Sequence, residues 1–211
     1  MDDHLTPSYD RLVQALRQLP GIGPLSAGRI AFRLMAEEGH GQAKELAALL
    51  QEASGKIHRC PVCNTLCEGD LCRVCADASR ESDKVCVVES PADQSVIERS
   101  LSYRGKYFVL GGRISPLEDQ GPSQLGFHLL MKRIEDPAVR ELILATSYTA
   151  QGDATAHYLA MAAAQRRPEL RITRLARGVP FGVELEYTDV ATVARAMSDR
   201  ASAVREQGGH R

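Results

Sequence analysis

The stretch Cys60-Pro-Val-Cys63, followed after eight residues by Cys72-Arg-Val-Cys75, decides how the rest of the chain is interpreted. Two C-x₂-C pairs at this spacing are typical of a zinc site in which each pair supplies two thiolates. Because four cysteines fill a tetrahedral shell and leave no open position, we predict one structural Zn²⁺ per chain. Cys67 and His58 are alternative ligands whose positions fit the spacing less well.

Composition restricts the class of protein that this chain can be. Its 211 residues suit one medium domain and a small one, and 44% hydrophobic and 25% charged residues are typical of a soluble globular protein. No apolar run approaches the ~18 residues that a membrane span needs, and the N-terminus lacks the pattern of a signal peptide. We therefore expect a cytoplasmic protein with no membrane partner, in which the six cysteines indicate metal rather than disulfides.

The overall charge does not indicate a polyanionic partner, since the net value is −1. Nucleic acid would have to be held by local basic patches or by several copies together. The absence of Trp and an aromatic content of 5% argue against a single-strand binder that stacks bases. One dense basic stretch is compatible with a solvated face, a phosphate-lining role or a subunit contact. It contains Arg166, Arg167, Arg171, Arg174 and Arg177.

The segment before the cysteines is predicted to be helical. Apolar spacing predicts helices over residues 7–19, 26–37 and 42–53, with Thr6 and Ser26 as N-caps of the first two. Glycines at 39 and 41 should separate the second and third helices.

Between the first two helices lies the hairpin Leu19-Pro-Gly-Ile-Gly-Pro24. Its glycines permit a tight turn, and the backbone N–H groups at the start of the following helix suit a phosphate. The pattern resembles the helix-hairpin-helix motif, which holds a DNA backbone without reading its sequence. The alternative is an interhelical turn in which glycine serves packing alone. The candidate DNA contacts are Gly21, Gly23, Leu25, Ser26, Arg29 and Arg33.

After the cysteines, short β-branched runs alternate with helical segments. We predict strands over residues 85–89, 107–112, 141–146 and 171–175, helices over 92–101, 124–134 and 153–165, and a last helix over about 189–205. This alternation indicates a mainly parallel sheet covered on both faces. The predicted fold class is a multidomain α plus α/β protein. Its parts are a helix-hairpin-helix domain (1–55), a four-cysteine zinc finger (56–80), an α/β domain (81–178) and a C-terminal strand or helix with a tail (179–211).

An acidic residue, Glu89, ends the first strand of the α/β segment. The surrounding sequence resembles the first motif of the Toprim domain, in whose catalytic members a D-x-D pair joins this glutamate to hold Mg²⁺. Here Ser147 and Thr149 occupy the two D-x-D positions. The remaining acids, Glu89, Asp93 and Asp153, would hold at most one loosely hydrated Mg²⁺. We therefore expect the Toprim fold to be kept and its catalysis to be lost. The alternative to metal binding by Glu89 is that it caps the next helix or pairs with an arginine.

The order of these parts, over nearly the whole chain, resembles the RecR family of bacterial recombination mediators. Further matching stretches are Val88-Glu-Ser-Pro-Ala-Asp93, Tyr107-Phe-Val-Leu-Gly-Gly-Arg-Ile-Ser-Pro116, Leu144-Ala-Thr146, Thr173-Arg-Leu-Ala-Arg-Gly-Val-Pro180 and Leu185-Glu-Tyr187. The resemblance implies a nucleoid-associated, non-enzymatic protein that binds gapped DNA or single/double-strand junctions without sequence preference. With RecO and RecF partners it would load RecA onto gapped DNA coated with single-strand-binding protein. It also implies assembly as a dimer or a ring-shaped tetramer.

Three positions depart from the common form of this family. Leu25 stands where lysine is frequent, Ser147-Tyr148 where Asn-Pro is usual, and Gln151-Gly-Asp153 where Glu-Gly-Glu is usual. Two alternatives to the mediator remain at this point. One is a Toprim-type, Mg²⁺-dependent nuclease or topoisomerase-like enzyme that uses Glu89. The other is a protein-interaction module that does not touch DNA.

Overall fold

A computed structural model describes residues 6–115 and 120–200. The chain divides into two compact units, residues 1–58 and 59–211, and each is described by itself. Within the described ranges, no helix is both long and apolar enough to cross a bilayer.

The first unit consists of helices α1 (Pro7–Arg17), α2 (Pro24–Met35) and α3 (His40–Lys56), with a 3₁₀ turn over Glu37–Gly39. Thr6 caps α1 as predicted, since its hydroxyl accepts a hydrogen bond from the Tyr9 N–H at 3.2 Å. Helices α1 and α2 pack together, and the Tyr9 hydroxyl donates to the Gly28 carbonyl at 3.1 Å.

Two predictions for this unit were wrong. Ser26 does not cap α2, which begins at Pro24 with Gly23 as its N-cap. Proline at the first helical position already has the required φ and needs no N–H partner there, so the helix starts before Ser26. Gly41 does not break α3, because the backbone there stays helical and its cost of about 1 kcal/mol is small beside the favourable residues that follow.

The second unit is built on a four-stranded parallel sheet, as predicted. The strands are β3 (Glu81–Val88), β4 (Gly105–Val109), β5 (Glu141–Leu144) and β6 (Arg171–Arg174), in the order β4-β3-β5-β6. The connections contain α5 (Pro91–Arg99), α6 (Phe127–Ile134) and α7 (Ala150–Arg166). The chain leaves β3 toward β4 on one side and later returns to β5 on the other. The carboxyl edge beside β3 is therefore the place where open α/β sheets bind ligands.

The two faces of this sheet are covered by different structures. Val85 and Val87 of β3 belong to a core with α6 and α7, and we call this side the helix face. Cys86 and Val88 point to the opposite side, which we call the zinc face, because alternate residues of a strand face opposite ways. The side chains that pack on the zinc face include Cys60, Cys63, Cys72 and Val74.

The cysteine segment is therefore a layer of the α/β unit, packed on one face of its sheet. It contains the paired strands β1 (His58–Arg59) and β2 (Leu66–Cys67) and the short helix α4 (Arg73–Ala76). The sequence predicted a sheet covered on both faces, but it did not predict that the cysteines cover one of them.

The C-terminal region contains a 3₁₀ turn over Leu185–Tyr187 and helix α8 (Val190–Ser198). The Asp189 carboxylate accepts the Thr192 N–H at 2.9 Å and caps α8 where the sequence predicted its start. The predicted extension over residues 201–205 lies outside the described residues, as does the predicted frayed tail.

Candidate functional site

The four predicted zinc ligands come together in the second unit. The Sγ atoms of Cys60, Cys63, Cys72 and Cys75 all lie within 4.8 Å of one another. Among the described residues, this is the one group of three or more His, Cys, Asp or Glu side chains that is placed to hold a metal ion. Three of the four cysteines are buried. Four converging thiols with little solvent access fit a closed, structural Zn²⁺ site.

Local backbone geometry places the thiols of each pair. After the first pair, Asn64 adopts a φ of 61°, and its N–H donates to the Cys60 carbonyl at 2.8 Å. The Cys60 N–H in turn donates to the Thr65 carbonyl at 2.7 Å, which closes the turn. In the second pair, the Cys72 Sγ accepts the Cys75 N–H at 3.4 Å and caps α4. The Cys75 N–H favours the thiolate form of Cys72, which metal binding requires.

The closeness of the thiols moves their pKa values apart. Hydrogen bonding from the Cys63 thiol, opposed by burial, lowers the pKa of Cys75 to about 6, and the charge of Lys106 acts in the same direction. The same hydrogen bond to Cys75, together with burial, raises the pKa of Cys63. Cys75 therefore loses its proton more readily than Cys63.

The other candidate ligands are not part of the group of four, although Cys67 packs against it and its thiol interacts with that of Cys60. The Cys67 Sγ donates to the Gly69 carbonyl at 3.3 Å, and a ring nitrogen of His58 lies 3.2 Å from the Lys56 carbonyl oxygen. Cys86 is buried in β3, and burial raises its thiol pKa to about 12, so it stays protonated at neutral pH. Neither Cys67 nor Cys86 therefore belongs to the group of four converging thiols.

Hydrogen bonds attach the first cysteine pair to the edge of the sheet. The Val109 N–H donates to the Cys63 carbonyl at 2.8 Å, and the Asn64 amide donates to the Val109 carbonyl at 2.6 Å. A buried hydrogen bond of 2.8 Å joins the Thr65 hydroxyl to the side-chain oxygen of Gln94 in α5. Because both side chains of this last contact are buried, breaking it would leave a polar group unsatisfied.

Lys106 attaches the second cysteine pair to β4. Its ammonium donates to the carbonyls of Val74, Cys75 and Asp77 at 2.9, 3.3 and 2.7 Å. These carbonyls lie at the C-terminal end of α4, where a positive charge is favourable. The side chain therefore uses all three of its donors to hold α4 against the sheet.

Glu89, the acidic residue predicted at the carboxyl edge of the sheet, accepts hydrogen bonds from protein donors. Oε1 of Glu89 accepts from both the N–H and the hydroxyl of Ser147, each at 2.8 Å. The other oxygen lies 3.9 Å from the Arg113 guanidinium. Ser147, one of the residues that replace the D-x-D pair, therefore donates to the glutamate beside which a catalytic Toprim domain would hold a metal.

The other two acids are also engaged with protein donors. Asp93 closes a capping box at the start of α5, where its carboxylate accepts from the Ser90 N–H at 2.9 Å. Oδ1 of Asp153 accepts from Arg174 at 2.6 Å and from Arg177 at 3.2 Å. The structure thus places the three predicted acids in three separate contacts, and they do not form a metal-binding group of the kind found at the cysteines.

In the first unit, the hairpin presents the start of α2 to solvent. Gly21 has a φ of 79°, in the left-handed region that favours glycine. No side chain caps α2, whose first-turn residues Leu25 and Ser26 are exposed. Arg29 and Arg33 are exposed one and two turns further on, along the same side of the helix as Ser26.

Four family models match successive parts of the chain. Three are described as RecR: its helix-hairpin-helix (residues 9–54), its four-cysteine zinc finger domain (57–77) and its C-terminal part (178–201). The fourth is described as the Toprim domain (83–176). The chain belongs to the RecR family. Membership places the chain in recombination and DNA repair, supports DNA binding, and confirms that the cysteine cluster is a zinc finger with one structural zinc.

Several residues of this RecR chain have roles that the sequence did not reveal. Lys106 donates hydrogen bonds that support the zinc finger, and Ser147 donates to the Glu89 carboxylate. The ring of Tyr148 lies against two arginine guanidinium groups. Their partners are distant in the sequence, so local periodicity carries no sign of them. The available signals were Ser147 and Tyr148 themselves, which depart from the family pattern after β5, next to the strand that ends at Arg174.

Proposed function

We propose that this RecR chain is a non-enzymatic, DNA-binding recombination mediator. It acts with RecO and RecF partners to load RecA onto gapped DNA coated with single-strand-binding protein. The observation that carries the proposal is the order of the four matched segments in a chain whose Toprim acids are engaged with protein donors.

DNA contact is assigned to the hairpin of the first unit, through Gly21, Gly23, Leu25, Ser26, Arg29 and Arg33. The free N–H groups and positive dipole at the start of α2 favour a phosphate, and the absence of a side-chain cap leaves that end accessible. Within the described residues, Arg29 and Arg33 form no ion pair, so their charge is available to a phosphodiester. Exposed Leu25 adds apolar contact where related sequences have lysine.

The lack of catalysis follows from what replaces the metal ligands. A Toprim nuclease needs several carboxylates around Mg²⁺, which prefers oxygen ligands with negative charge. Here Ser147 and Thr149 supply hydroxyls, and Ser147 donates its proton toward Glu89. A hard dication would have to displace these hydrogen bonds, and Glu89 and Asp93 are the two carboxylates that line the adjoining cavity.

Assembly as a dimer or ring-shaped tetramer accounts for DNA binding by a chain of net charge −1. Several weak contacts on one DNA molecule act together, since after the first contact the others form at high effective concentration. Native mass spectrometry with one zinc per chain in a dimer or tetramer supports this part of the proposal. A monomer at every concentration contradicts it.

The test of the mediator role is RecA filament assembly on gapped DNA coated with single-strand-binding protein, with RecO and RecF partners from the same organism. We expect the chain to shorten the lag before RecA hydrolyses ATP, and Arg29→Gln/Arg33→Gln to restore the lag. Arg11→Gln/Arg17→Gln removes two exposed charges from α1 of the same unit and is the matched control. An unchanged lag with the wild-type chain would defeat the mediator proposal.

The enzyme alternative is tested separately. Supercoiled and gapped DNA are incubated with the chain and Mg²⁺ or Mn²⁺, and we expect no cleavage above a buffer control. Cleavage that disappears in Glu89→Ala would replace the mediator proposal with a Toprim nuclease or topoisomerase-like enzyme.

A further inference from the structure

The basic stretch of the sequence contributes to a cluster at the carboxyl ends of β5 and β6. The guanidinium carbons of Arg174 and Arg177 lie 4.2 and 4.1 Å from the centre of the Tyr148 ring. The Tyr148 hydroxyl donates to the Leu175 carbonyl and fixes the ring. Because a cation over an aromatic ring is attracted to its face, both guanidinium groups are held in place before any ligand arrives.

One carboxylate serves both of these arginines. Oδ1 of Asp153 accepts a hydrogen bond from each guanidinium, at 2.6 Å for Arg174 and 3.2 Å for Arg177. Two positive charges therefore share one negative charge. Arg177 has five N–H donors, of which this contact uses one, so donors remain for a further partner.

A third arginine lies nearby on α8. Arg195 pairs through its Nε with Asp199 at 2.9 Å, and its side chain is 53% exposed. It lines a cavity of about 420 Å³ together with Tyr148, Arg177, Gly178 and Thr192, and none of the described residues around this cavity is acidic. A second cavity of about 330 Å³ shares Tyr148, Arg177 and Arg195 with the first and adds Arg174 and the acidic Asp199, which is the ion-pair partner of Arg195.

We propose that Arg177 and Arg195, with Arg174 and Tyr148 as their support, form a second site that holds the phosphodiester backbone of DNA. Guanidinium groups bind phosphate through paired N–H donors, and a fixed guanidinium loses less conformational entropy when it binds. The Thr192 N–H is already occupied by Asp189, so the arginines and not the start of α8 provide the binding. Contacts of this kind position DNA without reading its sequence.

The site deepens the proposed function and rests on it, because it adds a DNA contact outside the hairpin. Two positions that depart from the family pattern, Tyr148 and Asp153, both contact these arginines. Tyr148 and Asp153 therefore hold the arginine side chains in place. The two cavities adjoin, so a ligand with repeated phosphates, such as a DNA strand, can place a phosphate in each.

The test is the anisotropy of a fluorescein-labelled gapped duplex at several salt concentrations. We expect Arg177→Gln/Arg195→Gln to weaken binding about tenfold at low salt, since two charge-assisted contacts are lost. The slope of log affinity against log salt should fall in magnitude by about 1.5. Arg166→Gln/Arg171→Gln makes the same change in net charge at arginines outside the cluster, which contact Glu135 and Glu141. This control should bind like the wild type.

Arg174 and Asp153 remain in the test variant, so the fold is retained, which zinc content and circular dichroism check. Equal affinity and salt slope for the two double variants would overturn the site. A change of oligomeric state in native mass spectrometry, seen only for Arg177→Gln/Arg195→Gln, would also overturn it and make the cluster a subunit contact. If the second site is overturned but Arg29→Gln/Arg33→Gln loses binding, the proposed DNA binding through the hairpin still holds. If the wild-type chain binds no DNA, the proposed function itself is defeated.

Discussion

The helix face and the zinc face of the sheet are both buried, but different interactions hold the covering layer on each face. On the helix face, buried Val85 and Val87 pack against apolar side chains of α6 and α7, such as Leu130 and Leu159. On the zinc face, Cys86 and Val88 pack against a segment of about twenty residues whose own buried side chains are largely metal ligands.

The difference shows how a short segment can cover a sheet. The helix face is stabilised by apolar area, which accumulates with every buried methylene. The cysteine layer on the zinc face contributes few apolar residues of its own, mainly Val62 and Val74, so this layer depends on zinc and on hydrogen bonds to β4. We therefore expect single substitutions on the helix face to lower stability in proportion to the apolar area lost. On the zinc face, we expect the loss of one ligand to unfold the whole covering layer.

The largest effect is expected for Cys63→Ser. Losing a ligand releases zinc, and because Cys63 is fully buried against the sheet, its layer should detach from β3 and β4 as well as unfold locally. The cost is on the order of 5 kcal/mol or more, as for other losses of a structural metal. Zinc content by elemental analysis and hydrogen exchange of β3 and β4 measure it. Cys67→Ser is the control and should keep its zinc; a zinc-loaded, fully stable Cys63→Ser would show that three ligands suffice.

A smaller effect is expected on the other side of the sheet, for Leu130→Ala. Leu130 is also fully buried, but its removal leaves a cavity in an otherwise intact core and should cost about 2–5 kcal/mol in urea unfolding. Zinc content should stay at one per chain, because the ligands lie on the opposite face. Loss of zinc at urea concentrations below the unfolding transition would show that the two faces are not independent.

Lys106→Met should weaken the zinc face without touching a ligand. The change removes three hydrogen bonds to the end of α4, and we expect a loss of about 1–3 kcal/mol and faster transfer of zinc to a chelator. Lys84→Met on the neighbouring strand breaks an exposed pair with Glu81 and should change both quantities little. Equal chelation rates for the two variants would remove Lys106 from the support of the finger.

The smallest effect concerns pH and the contact between Arg80, just after the finger, and Glu98 of α5. Burial raises the pKa of Glu98, but the hydrogen bond and charge of Arg80, together with smaller contributions from Tyr107 and Arg73, outweigh it, so the pKa lies below its ordinary value. A lowered folded-state pKa stabilises the protein above the unfolded value of about 4.3, and this contribution is lost as pH falls through the folded value. Wild type should therefore be more stable than Glu98→Gln at pH ~6, with the gap closing below pH ~4. A gap independent of pH would contradict this assignment.

Much of this protein was determined by the sequence alone. The spacing of the cysteine pairs predicted the zinc finger, the alternation of strand and helix patterns predicted the parallel sheet, and the order of the segments indicated the family. These signals are local, because ligand spacing, hydrophobic period and capping depend on residues a few positions apart. The wrong cap at Ser26 was also local, since Pro24 starts the helix earlier and the pattern of apolar residues does not record it.

Only the tertiary structure decided which groups those segments place side by side. Glu89 meets Ser147 across 58 positions of sequence, Lys106 reaches the end of α4 across 32, and Tyr148 meets two arginines of the basic stretch that lie far along the chain. Each pair forms because neighbouring parallel strands end at the same edge, or because a sheet has a second face that must be covered. Sheet order and facing are properties of the whole packed unit, and no local pattern carries them.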